Sequence, residues 1–284
     1  MSIDLHLHTT ASDGRLSPAE LIDLVAERGL SVVAITDHDT VEGIQPALDQ
    51  AKKHPGLTVI PGIELSTHAP GGELHLLGYF IDYLNPELLS VCHSMRSDRF
   101  ERAKAMVEKL NGLGIELSWE RVSQIAGESN IGRPHIARAL LEKGYIGSFE
   151  EAFELYLGHG KPAYVERFKI TPAEAIELVG RCSGLPVMAH PLTVNNHERT
   201  IAELSACGLE GIEVYYKDFD NSQRENLKKI ARKLDLIATG GSDYHGIDDS
   251  VEVLPGDAGV PRSVAAGLFA RARQKGLTVP VYEG

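Results

Sequence analysis

Residues 1–14 read MSIDLHLHTTASDG, and the chain's fold turns on what two histidines do in this otherwise apolar run. The alternation predicts a β-strand, in which successive side chains point to opposite faces. His6 and His8 then share one face, while Ile3, Leu5 and Leu7 share the other. TTASDG continues as a polar turn whose Asp13 can fold back toward His8, so three potential metal ligands meet at one strand end. His-x-His alone is a weak signal, because two histidines on one face can equally be solvated.

The pattern repeats outward from that strand. Ser17-Pro18-Ala19-Glu20 has the form of a capping box with proline at the first helical position, and the periodic LIDLVAER runs on to Gly29. SVVAIT (31–36) is a β-branched run ending in DHDT, a helix is predicted over 41–53, and LTVIPGIELST (57–67) is the next strand. A Pro70-Gly71-Gly72 turn leads into the alternating strand ELHLLGYFI (73–81), which carries His75.

From Pro86 the pattern becomes helical, with segments predicted at 86–113, 118–126, 134–143 and 148–157. After GHGKPAYVERF, Thr171-Pro172-Ala173-Glu174 repeats the capping pattern, and PVMAH (186–190), GIEVYY (211–216) and LIATGG (236–241) read as strands separated by helices. The expected fold class is α/β: one barrel domain formed by 1–98 and 166–284, interrupted by a helical insertion at 99–165.

At 284 residues and 43% hydrophobic content the chain can bury a large core. A formal net charge of −12 argues against a broad phosphate-backbone footprint on duplex nucleic acid. No segment approaches the ~18 apolar residues of a membrane span, and no charged region followed by an apolar run marks export, so the expectation is a cytoplasmic protein without a membrane partner. Cys92, Cys182 and Cys207 form no C-x-x-C pair, which leaves no thiolate zinc site or disulfide framework. The 12 histidines, by contrast, are about twice the usual ~2% frequency and need an explanation.

Their placement supplies one. His6 and His8 end the first predicted strand, His38 follows the second, and Glu64 lies late in the third. His190, Asp243 and His245 follow the carboxyl ends of later strands. In α/β barrels those ends form one face, on which active sites are built.

The segments HLHTTASDG, TDHDT, GIE, HLLGY, AHP and GSDYH, in this order, resemble the PHP (polymerase and histidinol phosphatase) family of metal-dependent phosphoesterases. The resemblance is nearest to the branch of nucleoside 3′,5′-bisphosphate phosphatases and RNA 5′-end exonucleases, in which aspartate stands where some members have histidine, as Asp13 does. It implies a distorted seven-stranded β/α barrel and two or three divalent ions. One ion would take His6, His8, Glu64 and Asp243. A second would share Glu64 and take His75 and His190, and a third would take Asp13, His38 and His245. Asp13, His38, Glu64 and Asp243 would be the catalytic core of this set. Mixed imidazole and carboxylate ligands suit manganese, with iron or zinc as alternatives.

The resemblance further implies that the insertion caps the site and grips a small nucleotide. Arg133 and His135 sit at a predicted helix start and Lys161 in a glycine-bounded loop, so they offer cations or terminal N–H groups to phosphate. Ser66 and His197, in predicted loops after ligand-bearing strands, could touch substrate. Asp37 and Asp39 either accept a second imidazole N–H from His38 or cap their loop. His54, His68, His93 and His159 are expected to be surface or structural, the preferred reading of His197 as well. The expected reaction is release of phosphate from a 3′,5′-bisphosphonucleotide such as 3′-phosphoadenosine 5′-phosphate. A 5′-to-3′ exoribonuclease on short RNA is the alternative, with histidinol phosphatase and amidohydrolase as more distant ones.

Overall fold

The computed structural model describes residues 2–69, 72–127, 131–166, 170–247 and 252–280. The predicted turn at Pro70-Gly71 and the end of the 158–168 loop fall outside these residues. Seven strands form one sheet in sequence order: β1 (Ser2–Leu7), β2 (Leu30–Ile35), β3 (Thr58–Ala69), β4 (Gly72–Tyr79), β5 (Leu185–Met188), β6 (Gly211–Tyr216) and β7 (Ile237–Gly241). β1, β2 and β3 are parallel, β4 runs antiparallel to both β3 and β5, and β5, β6 and β7 are again parallel. The sheet curls into a nearly closed barrel, because the segment after β7 returns to β1. Asp243 N donates to His6 O at 2.9 Å, and His8 N donates to Tyr244 O at 3.1 Å.

The helices are α1 (Pro18–Glu27), α2 (Ile44–Ala51), α3 (Pro86–Gly112), α4 (Trp119–Ala126), α5 (Arg133–Glu142), α6 (Phe149–Ala152), α7 (Pro172–Arg181), α8 (His197–Ala206), α9 (Asn221–Lys233) and α10 (Arg262–Gln274). Both predicted capping boxes form: Ser17 with Glu20 opens α1, and Thr171 with Glu174 opens α7. None of the described helices is long and apolar enough to cross a membrane.

The chain divides into two compact units, one of Met1–Cys92 with Lys169–Gly284 and one of His93–Phe168. Each has its own core. In the larger unit, α1 and α2 pack Leu21, Ile22, Val25 and Ala47 against Leu7, Val33 and Ile35, while Ile3, Leu5, Val32, Ala34 and Tyr79 join Leu268 and Phe269 of α10 in a second cluster. The smaller unit is built on Met106, Leu110, Val122, Ile136, Leu140 and Leu157.

One expectation about β1 is corrected here. Leu7 does not share the cluster of Ile3 and Leu5, because the β1–β2 register shifts between Asp4 and Leu7, and an irregularity of this kind breaks strict alternation.

The seam between β1 and β7 is tight. A Cβ at Gly241 would stand 2.5 Å from His6 Cβ and 2.7 Å from Asp4 Oδ1, so only glycine fits. Asp4 is fully buried and fastens the seam, accepting hydrogen bonds from the backbone N–H of His6 (3.2 Å), Ser242 (3.0 Å) and Gly256 (2.8 Å). Burial pushes its carboxyl up to about 6 in spite of these donors. Asp4→Ala would strand the buried N–H groups of His6 and Ser242 and the part-buried one of Gly256, a buried one costing about 1–3 kcal/mol. The expected loss is roughly 3–5 kcal/mol, read as a fall of roughly 6–15 °C in the midpoint of thermal unfolding. A change under about 1 kcal/mol would show that the seam is held elsewhere.

Candidate metal centre

Glu64, fully buried on β3, is the point on which the histidines converge. Its Oε2 lies 3.1 Å from His6 Nε2, 3.2 Å from His8 Nε2 and 3.1 Å from His38 Nδ1. Its Oε1 lies 2.8 Å from His75 Nδ1 and 3.2 Å from His190 Nε2. These side chains come from β1, the turns after β1, β2 and β5, and β4. The antiparallel pairing of β3 with β4 sets His75 opposite Ser66, beside Glu64 on the sheet.

Asp243, just after β7, closes the near side: its Oδ1 stands 3.0 Å from His8 Nε2 and 3.4 Å from His6 Nε2. Asp13 lies beyond His8, with His245 Nε2 at 3.4 Å, His8 Nδ1 at 3.9 Å and His38 Nε2 at 3.9 Å, and the His8 and His245 rings stack at 4.2 Å.

Three groups of these side chains have ligand atoms close enough to share one ion: His6, His8, Glu64 and Asp243; His38, Glu64 and His75; and His8, Asp13, His38 and His245. His190 reaches the second group through its contact with Glu64.

The arrangement fits a cation better than it fits a hydrogen-bonded core. His8 is buried, yet neither of its ring nitrogens makes a hydrogen bond, although carboxylate oxygens stand 3.0 and 3.2 Å from Nε2. Buried polar groups are almost always paired, so a buried imidazole this close to two carboxylates with no hydrogen bond is placed as a ligand is around an ion, while His6, His75 and His190 do bond to Glu64. Five imidazoles around one carboxylate also exceed the roughly four acceptor positions its two oxygens offer.

Electrostatics point the same way. Burial works against the charge of His8, His75 and His6, but the surrounding carboxylates outweigh it, raising His8 to about 10, His75 to about 9 and His6 well above its usual value. Burial also opposes ionisation of Glu64, Asp243 and Asp13, and the imidazoles nevertheless hold all three well below the ordinary carboxylate range. His38 goes to about 3, because burial, helped by the charges of His8 and His75, overcomes Glu64 and Asp13. A buried well of carboxylates that attracts protons this strongly attracts divalent cations for the same reason.

Two candidate ligands stand in backbone conformations that L-residues rarely adopt. His190 has φ of 25° and Asp243 of 51°. Each is held by a bond from its own N–H, His190 to Glu213 Oε2 at 2.8 Å and Asp243 to His6 O.

The other predicted residues fall elsewhere. Ser66 is not in a loop, since β3 continues to Ala69; it is buried, and its Oγ donates to Asp39 at 3.0 Å. His197 is likewise not in a loop but is the first residue of α8. Asp37 accepts from Thr9 N, Thr9 Oγ1 and Ser12 Oγ, and Asp39 accepts from Ser66, bonds that cap the loop around His38. Arg133, His135 and Lys161 belong to the smaller unit. The Arg133 guanidinium lies 5.7 Å from the centre of the Phe153 ring, His135 Nδ1 accepts from Gly132 N at 3.0 Å, and Lys161 is exposed.

Sequence reasoning passed over four residues at the centre. Glu213, fully buried on β6, has Oε1 at 3.1 Å from His6 Nδ1. Glu73 meets His75 Nε2 at 3.3 Å. Tyr216 donates its hydroxyl to Asp243 Oδ2 at 2.9 Å, and Lys217 Nζ lies 3.1 Å from the same oxygen. The signal for Glu213 was a charged residue inside the apolar run GIEVYY; the others left none.

The PHP domain family matches residues 4–181. A 5′-3′ exoribonuclease of Haemophilus influenzae is 35% identical over 246 residues, covering 85% of this chain and 89% of that protein. A 3′,5′-nucleoside bisphosphate phosphatase of Chromobacterium violaceum is 32% identical over 249 residues, covering 86% and 87%. A crystal structure from Bifidobacterium adolescentis, described as that of a metal-dependent phosphoesterase, superposes with a TM-score of 0.84 at 30% identity, covering 95% of this chain and 96% of that one. With its seven-stranded barrel and its cluster of buried histidines and carboxylates, the chain belongs to the PHP domain family, as a hydrolase of the metal-dependent phosphoesterase type.

Proposed function

We propose that this protein hydrolyses phosphomonoesters of small nucleotides, converting nucleoside 3′,5′-bisphosphates such as 3′-phosphoadenosine 5′-phosphate to the 5′-monophosphate and phosphate. The observation that carries the reading is the convergence of His6, His8, His38, His75 and His190 on the Glu64 carboxylate, with His8 unsatisfied by hydrogen bonds. The name of the Chromobacterium violaceum relative supports the substrate class.

Lone-pair counting divides the ligands. A neutral imidazole has one lone pair, so His8 and His38, each within reach of two groups, can serve only one ion apiece. If His8 joins His6, Glu64 and Asp243, then Asp13, His38 and His245 remain as a second set, and Glu64 with His75 and His190 form a third. Divalent ions there, manganese first and iron or zinc next, would polarise the phosphoryl oxygens and activate water. The chain's own contribution is to fix the ligand geometry and to keep the carboxylates ionised within a buried pocket. Arg133 and His135, with Lys161, we assign to the substrate's phosphates, the guanidinium making two parallel charge-assisted bonds.

A second reading, a 5′-to-3′ exoribonuclease acting on short 5′-phosphorylated RNA, is favoured by the 35% identity to the Haemophilus influenzae enzyme. The same centre would serve both, and hydrolysis of a bisphosphonucleotide compared with that of a short 5′-phosphorylated RNA separates them.

Purified protein is expected to hold two or three transition-metal ions per chain by elemental analysis, and activity lost to a chelator should return best with manganese. Full activity in protein stripped of metal would overturn the mechanism. Arg133→Ala should lower efficiency on a bisphosphonucleotide by roughly 30- to 1000-fold, the loss of about 2–4 kcal/mol from a charge-assisted pair, and should leave slow hydrolysis of a small aryl phosphate nearly unchanged. Equal loss on both substrates would place Arg133 on the reacting phosphate, and no loss on either would remove it from the site.

A further inference from the structure

Glu213 is a carboxylate at the centre that reaches two candidate ligands without belonging to any of the three ligand groups. It is fully buried between Ile212 and Val214, both also fully buried, in a strand that could have carried an apolar residue there at no desolvation cost. Its two oxygens have separate tasks. Oε1 is 3.1 Å from His6 Nδ1, while the other nitrogen of that ring faces Glu64 and Asp243. Oε2 accepts the backbone N–H of His190 at 2.8 Å, at the residue whose φ of 25° lies farthest from ordinary backbone among the candidate ligands.

We propose that Glu213 is a positioning residue of the metal centre, fixing the tautomer of His6 with one oxygen and the backbone of His190 with the other. This rests on the reading of His6 and His190 as metal ligands. With Nδ1–H donated to Glu213, the lone pair of His6 is confined to Nε2, the atom that faces the other ligands, and the hydrogen bond makes it a better donor to a cation. With its N–H held, His190 keeps the strained turn that brings Nε2 to within 3.2 Å of Glu64. Because His6 and His190 are read as ligands of different sets that share Glu64, one buried side chain holds a residue of each set.

Glutamine is close in shape but has a single acceptor oxygen. In Glu213→Gln, whichever way the amide turns, an NH2 group faces either His6 Nδ1–H or His190 N–H. The variant should fold, as judged by circular dichroism and thermal unfolding of the metal-free protein, and should bind manganese roughly 10- to 100-fold more weakly in competition with a chelator. Its cobalt(II) form should show altered d–d absorption, since the ligand orientation has changed, an effect that loss of packing elsewhere would not produce. Should the variant fail to fold, 15N-histidine NMR of the zinc-loaded wild type is the deciding measurement, with His6 expected to be protonated at Nδ1 and metal-bound at Nε2. Manganese affinity and a cobalt spectrum unchanged from wild type, or coordination of His6 through Nδ1, would overturn the positioning role. Wild-type protein that takes up no cation would instead overturn the metal-centre reading beneath it.

Discussion

A carboxylate buried without a counter-charge is too costly for a protein interior to keep ionised, and Glu64 is kept ionised there. Everything around it follows from that constraint. Five imidazoles from four strands and the turns that follow them must reach one pair of oxygens, and a barrel, which arranges its strands around one centre, achieves this. The barrel in turn must close near His6, which requires Gly241 at the seam and Asp4 to gather the backbone N–H groups there. The reversed strand β4 fits the same logic: pairing antiparallel to β3, it places His75 beside Glu64 without a crossover helix.

Much of this was legible in the sequence, for a physical reason. Strand and helix signals depend on local periodicity and capping, so all seven strands and both Ser/Thr-Pro-Ala-Glu helix starts could be read. Candidate ligands are polar residues at apolar strand ends, which makes His6, His8, Glu64, His190 and Asp243 conspicuous. What could not be read depends on register. The shift in β1 that separates Leu7 from Leu5 has no composition signal, and the last two residues of β3, His68 and Ala69, join the strand through pairing with β4. Glu73, Tyr216 and Lys217 act on His75 and Asp243 through contacts that only the folded chain creates. Asp37 and Asp39 illustrate the same limit: both lie beside His38 in sequence, while the hydrogen-bonded partners that define their work are Thr9, Ser12 and Ser66.

The smaller unit obeys a different rule. Among the described residues, its core cluster is drawn from residues between 103 and 165. Residues 153–157 form a wide π-helical turn, and Phe153 within it stands near the Arg133 guanidinium.

His190 and Asp243 hold left-handed backbone conformations in which glycine would be more comfortable. At both positions glycine would relieve about 1 kcal/mol of backbone strain while removing a candidate ligand, and at Asp243 it would also take away the acceptor of the Tyr216 hydroxyl and of Lys217. Stability and chemistry thus pull in opposite directions at two specific positions. Efforts to harden this protein by relieving backbone strain should therefore leave His190 and Asp243 in place.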